Sequence, residues 1–159
     1  MGFSDSDFAG CIDTRKSTSG YVFLLAGGAV SWSSTKQKTV AAFTMEAEYI
    51  ACYMASSQAI WLRNFITYLR VMNSIEKPIK IYCDNEAAVK FSNNNKSSSA
   101  CKYMEIKFLI VKERIRDHLV SIEHIGTDHM LADPLTKALP PGTYKGHVLK
   151  MEFVSLFEF

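Results

Sequence analysis

The residues with most chemical content in this 159-residue chain are carboxylates. Phe3-Ser4-Asp5-Ser6-Asp7-Phe8 reads as a short strand. Its period-two alternation puts Phe3, Asp5 and Asp7 on one face and Ser4, Ser6 and Phe8 on the other. Asp and Ser are poor strand formers, so a carboxylate where an apolar side chain should sit points to a ligand. Three further acids, Glu48, Asp84 and Asp133, stand in contexts that could bring them to Asp5. Four such carboxylates would make a metal-binding centre, and their crowding would leave some of them protonated without an ion. Asp7 shares the face of Asp5 and is its rival for the first position.

Each acid needs an element to carry it. Tyr21–Leu25 and Ala29–Ser33 read as strands joined by a turn at Gly27-Gly28, an antiparallel hairpin following the first strand. A long helix is expected from Met45 to Met72, with Thr44 as its N-cap. Ala47, Ala51, Ala55 and Ala59 form a small-residue stripe along it, widened by Ile50, Met54, Trp61, Phe65 and Leu69. Glu48 lies beside that stripe and should face the sheet, whereas Glu46 serves the helix dipole. Asp84 ends the strand Ile79–Cys83 and leads into a helix from Glu86 to Ser92. It stands either at a strand's carboxyl end, where ligands gather, or as that helix's N-cap. Asn93 to Ser99 is a polar loop. Met104 to His118 is an amphipathic helix with Ile106, Leu109, Ile110 and Ile115 inward, and Leu119–His124 is the last strand. Asp133 falls on an expected helix from Met130 to Leu139, broken by Pro140-Pro141-Gly142. The segment from Thr143 reads as a final helix with a loose end.

Composition bounds the rest. The chain is 48% hydrophobic and 21% charged, with net charge +2 and a pI near 8.3, as in a globular and weakly basic domain. It has no apolar run of the roughly 18 residues a membrane helix needs, and its polar opening is unlike a secretory leader. Cys11, Cys52, Cys83 and Cys101 are scattered without a C-x-x-C pair, which fits small buried hydrophobes in a reducing compartment.

Several strings then share one likeness. Phe3-Ser-Asp-Ser-Asp-Phe-Ala-Gly10, Asp13-Thr-Arg-Lys-Ser-Thr-Ser-Gly-Tyr21, Val30-Ser-Trp-Ser-Ser34 and Lys36-Gln37 occur in order. Glu46-Ala-Glu-Tyr-Ile-Ala51, Ala59-Ile-Trp-Leu-Arg63, Cys83-Asp-Asn85 and Ala132-Asp-Pro-Leu-Thr-Lys137 follow. Together they resemble the RNase H domain of copia-type LTR retrotransposon Pol polyproteins, those of plants above all, over nearly the whole chain. The chain departs from the family pattern at Phe43-Thr44-Met45, Lys102-Tyr-Met-Glu105, His129 and Glu152, none of which removes a candidate ligand.

The resemblance implies an α/β, ribonuclease H-like fold. Its five-stranded mixed sheet would have three antiparallel strands first and the last two parallel to strand 1, flanked by helices. One domain would span 1–151, with 152–159 as a C-terminal tail. The implied activity is two-metal-ion hydrolysis of the RNA strand of RNA–DNA hybrids during reverse transcription. Asp5, Glu48, Asp84 and Asp133 would hold two Mg²⁺ ions, or Mn²⁺, with Asp5 bridging both. Asn85 is a candidate substrate contact or a turn residue, His129 a candidate proton shuttle, and His124 structural. The implied partners are the hybrid and the reverse transcriptase domain of the same polyprotein, with no membrane. The implied location is intracellular, in a cytoplasmic virus-like particle or the nucleus, and not secreted. Met1 starts almost on the first strand, which reads as a piece of a longer product or a truncated copy. The alternative is an inert remnant that folds and binds nucleic acid without turnover.

Overall fold

A computed structural model describes residues 1–70, 77–94 and 102–151. Five strands, β1 (Gly2–Asp7), β2 (Thr18–Leu25), β3 (Gly28–Lys36), β4 (Ile79–Cys83) and β5 (Val120–His124), form one sheet in the order β3-β2-β1-β4-β5. The β1–β2 and β2–β3 pairs are antiparallel, while β4 runs parallel to β1 and β5 parallel to β4. The sheet is therefore the mixed one expected. β1 is central, and its residues from Gly2 to Ser6 are all buried, so both of its faces are covered.

The β2–β3 hairpin turns on Ala26-Gly27, one residue before the expected Gly27-Gly28. Both are left-handed, with φ 52° and 92°, as a twist-matched two-residue turn requires.

Helix α1 (Thr44–Tyr68) lies on one face of the sheet. Ala47, Ala51, Ala55 and Ala59 are all fully buried, because side chains of one methyl let the helix axis come close to the strands. Leu62 continues the contact with Phe23, Ile81 and Val120. Thr44 is not the N-cap but the first helical residue. Phe43 is the cap, and no side chain caps it; Glu46 instead reaches back to accept the Ala42 N–H, just before the helix, at 2.7 Å. Helical structure ends at Tyr68 rather than 72, and 71–72 lie outside the described residues. Trp61, Phe65 and Leu69 do not widen the buried face. They are about half exposed, with Trp61 and Phe65 stacked 5.0 Å apart, on the side of the helix away from the alanine stripe and Leu62.

Helix α2 (Glu86–Asn93) follows β4, and α3 (Lys102–Arg116) precedes β5. The buried side of α3 is set by Phe108 and Val111, which join Tyr49, Val89 and Ile122 in the core. Ile106 and Leu109, expected inward, are 68% and 56% exposed. This helix carries apolar residues on most of its circumference, so periodicity does not fix its phase. Phe108 does, by packing against Phe91 at 4.3 Å and Tyr49 at 5.5 Å. Arg114 pins α3 to α1, its guanidinium donating to Ser56 and Ser57. The 95–101 part of the expected polar loop lies outside the described residues.

The expected helix over 130–139 is absent. Two single-turn 3-10 helices, Thr127–His129 and Asp133–Leu135, take its place. Met130, Leu131 and Ala132 are all buried, in a core on the opposite sheet face with Phe3 and Val22. Three consecutive buried residues do not suit a helix lying on a surface, and Pro134 removes a backbone donor. Pro140-Pro141-Gly142 starts a helix rather than only breaking one: α4 runs Pro141–Lys150 with proline at its first position. The expected tail, 152–159, lies outside the described residues. Among those that are described, no helix is long and apolar enough to cross a membrane.

Candidate metal centre

The alternation of β1 sends its side chains to two different partners. Ser4 and Ser6 face α1, where the Ser4 hydroxyl lies 3.8 Å from Cys52 Sγ. Ser6 holds Glu48 twice, its N–H donating to Oε1 at 3.2 Å and its hydroxyl at 2.8 Å. Asp5, between them, faces the segment 132–137. Thr136 Oγ1 donates to Asp5 Oδ2, and the Lys137 ammonium lies 2.9 Å from Asp5 Oδ1 and 3.0 Å from Asp133 Oδ1.

Backbone geometry brings this segment in. Thr136 N–H and Lys137 N–H both donate to the Asp133 carbonyl, at 3.0 and 2.9 Å. That turn stacks Lys137 over Asp133. On the other side, Gln37 donates to Ser19 Oγ at 2.8 Å and to the Ala47 carbonyl at 2.9 Å, fixing the start of α1 and with it Glu48.

Asp84 completes the arrangement from the carboxyl end of β4. One ligand atom each from Asp5, Asp84 and Asp133 lie within 4.8 Å of one another, and so do one each from Glu48, Cys83 and Asp84. The four expected acids are thus gathered in two overlapping groups. The residue common to both is Asp84, whereas the resemblance gave the bridging place to Asp5. Both oxygens of Asp5 are already engaged, by Lys137 and by Thr136.

Burial dominates the electrostatics. Asp5 is fully buried, and desolvation raises its carboxyl to about 6, against the opposing effects of Thr136 and Lys137. Glu48 is pushed up to about 9, by burial first and then by its neighbours Cys83 and Asp5, with the Ser6 hydrogen bond opposing. Contact with Cys52, together with burial, raises the Cys83 thiol far above its ordinary range. Burial works against the charge of Lys137, but Asp5 and Asp133 outweigh it and hold the ammonium above the usual lysine range. Burial, ahead of the mutual repulsion expected from the sequence, is what raises the Asp5 and Glu48 carboxyls.

The other expected residues are placed differently. Asp7 belongs to neither group; its carboxylate lies over Gly10, where a Cβ would come within 1.7 Å of it. Asn85 Oδ1 accepts the Ala88 N–H at 2.9 Å and is the N-cap of α2. The capping role weighed for Asp84 therefore falls to its neighbour, which leaves Asp84 for a ligand. His129 is exposed on the turn Thr127–His129 and belongs to neither group. His124 Nε2 lies 3.2 Å from the Asp84 carbonyl, nearer the centre than its reading as structural suggested. Sequence reasoning missed Lys137, Thr136, Ser6 and Gln37. The signal for Lys137 was present: an acid and a lysine four residues apart, both inside the Ala132–Lys137 string.

No protein-family model matches the chain. It is 37% identical over 144 residues to the retrovirus-related Pol polyprotein from transposon TNT 1-94 of Nicotiana tabacum, covering 91% of this chain and 11% of that protein. Against the corresponding polyprotein from transposon RE1 of Arabidopsis thaliana it is 33% identical over 149 residues, 94% of this chain and 10% of that one. The chain thus spans about a tenth of the length of the relatives it matches. The crystal structure of LC11-RNase H1 in complex with an RNA/DNA hybrid superposes with a TM-score of 0.62 at 16% identity, covering 85% of this chain and 91% of that one. The fold is ribonuclease H-like.

Proposed function

We propose that this chain, homologous over most of its length to the retrovirus-related Pol polyproteins of plant transposons, is a ribonuclease H that hydrolyses the RNA strand of RNA–DNA hybrids. The observation that carries the reading is the pair of ligand groups meeting at Asp84, at the carboxyl ends of β1 and β4. Their donors are carboxylate oxygens apart from Cys83, whose thiol is held protonated. An oxygen set suits hard Mg²⁺ or Mn²⁺, so the residues present fit such ions. Asp5, Glu48, Asp84 and Asp133 would hold two of them. Bound there, they would supply charge stabilisation at the scissile phosphate and an acidified water.

The chain's own residues do the positioning. Ser6 fixes Glu48, Thr136 orients Asp5, and Asp84 serves both groups. His124 lies exposed against the Asp84 carbonyl at the carboxyl end of β5. The partners of this reading are the hybrid and a reverse transcriptase domain of the same polyprotein.

Cleavage of a labelled RNA–DNA hybrid in Mg²⁺, wild type beside Asp84→Asn, tests it. Loss of the RNA strand alone, abolished in the variant, is the expected result. A folded wild type that cleaves nothing in Mg²⁺ or Mn²⁺, even with the polymerase domain added, would overturn it in favour of an inert remnant.

A further inference from the structure

We propose that Lys137 is the resident cation of this centre, holding Asp5 and Asp133 together in the metal-free protein and giving way when a divalent ion binds. The inference rests on the reading of these acids as metal ligands. Asp5 is fully buried and Asp133 is 7% exposed, so bulk water satisfies neither carboxylate and each needs a charged or donating partner. The ammonium supplies it, at 2.9 Å from Asp5 Oδ1 and 3.0 Å from Asp133 Oδ1. Thr136 takes the remaining oxygen of Asp5.

An incoming ion therefore meets an ammonium on Asp5 Oδ1 and a hydroxyl on Oδ2. Magnesium draws its oxygens to about 2.1 Å. An ammonium left on the same carboxylate would face it at a few ångströms with like charge. The neutral hydroxyl can share its oxygen with an ion, since a carboxylate oxygen accepts more than one contact, whereas the like-charged ammonium cannot stay; the packing agrees. Thr136 is locked by its backbone bond to Asp133 and by its methyl lying against Gly20. The Lys137 side chain is 34% exposed, and its four-carbon stem has a path to solvent. The threonine stays and orients Asp5, while the lysine swings out.

Ion binding is then an exchange of one positive charge for two, and Lys137 sets the ion concentration at which the exchange occurs. Without an ion the centre stays closed over its own lysine, protected from carboxylate repulsion.

The test is calorimetric Mn²⁺ titration and thermal melting of the whole chain, comparing wild type with Lys137→Met, Lys137→Gln and Lys137→Arg. Both neutral variants should bind Mn²⁺ about tenfold more tightly, since the competing charge is gone. Their metal-free melting temperatures should fall, and saturating Mn²⁺ should raise them by more than it raises wild type. The arginine variant, which keeps the charge, should bind no tighter than wild type. Neutral variants that fold only in Mn²⁺ would also support the exchange. Equal or weaker Mn²⁺ affinity in both, beside a wild type that binds, would overturn it. A wild type that binds no Mn²⁺ would instead remove the metal-centre reading beneath it.

Discussion

Gly20 is the register partner of Asp5 on the neighbouring strand, and a Cβ at Gly20 would lie 2.7 Å from the methyl of Thr136. The absent side chain is what lets the 132–137 segment descend onto the sheet and deliver Thr136, Lys137 and Asp133 to Asp5. A Cβ there would also come within 2.9 Å of Leu135 Cβ, a neighbour with no flexible end to move aside.

Gly20→Ala is accordingly expected to destabilise the protein by about 1–3 kcal/mol, as overpacking does. It should weaken divalent-ion binding as well, because the turn bearing Asp133 is displaced. Denaturant unfolding and Mn²⁺ titration of the same variant check both. Unchanged ion affinity would show that the close approach does not position the acids.

Asp84 and Asn85 are adjacent but do different work, and paired variants should separate them. Asn85→Ala removes the α2 cap and should cost about 1 kcal/mol. Asp84→Asn removes a carboxylate that caps nothing, so metal-free stability should be unchanged or higher, while stabilisation by Mg²⁺ or Mn²⁺ is lost. Melting curves with and without ion decide the matter.

Glu48 and Asp5 give the metal-free protein a definite pH dependence. Both carboxyls titrate higher in the folded chain, near 9 and near 6, than their ordinary values of 4.5 and 3.8. The folded state thus binds more protons than the unfolded one between those limits, so stability falls as pH rises through them. Metal-free melting temperature should decline from about pH 4 to pH 9. Glu48→Gln should flatten the upper part of that decline, since a neutral amide still accepts from Ser6. Ion binding must release these protons, so Mn²⁺ affinity should rise with pH in wild type. A flat or rising metal-free profile would contradict the raised carboxyls.

Arg114 is the main polar tie between α3 and α1, donating to Ser56 at 2.6 Å and Ser57 at 2.9 Å. Its guanidinium also lies 5.6 Å from the centre of the Tyr53 ring. Arg114→Met keeps the stem and removes the donors, and should cost about 1–2 kcal/mol in urea unfolding without altering ion affinity. A change in ion affinity would mean that α3 helps to position Glu48 through α1.

The sequence by itself determined which acids gather and on what kind of scaffold. A carboxylate in a strand is a local contradiction, visible without any partner, but Asp5 and Asp7 share it, and only the fold separates them by turning Asp7 over Gly10. The alanine stripe of α1 and the alternation of β1 are likewise local periodicities, and both survive in the fold with the faces they implied. Only the tertiary structure decided what meets across the chain. Apolar residues surround most of α3, so its inward face waited on the aromatic pocket formed by Tyr49 and Phe91. Asp133 reads as helical until Met130, Leu131 and Ala132 must all be buried at once, and the backbone then tightens into 3-10 turns. Lys137 looks like a surface lysine. It becomes part of the centre because Asp5, 132 residues away, is buried within reach of its ammonium, and a buried carboxylate takes the nearest cation the fold provides.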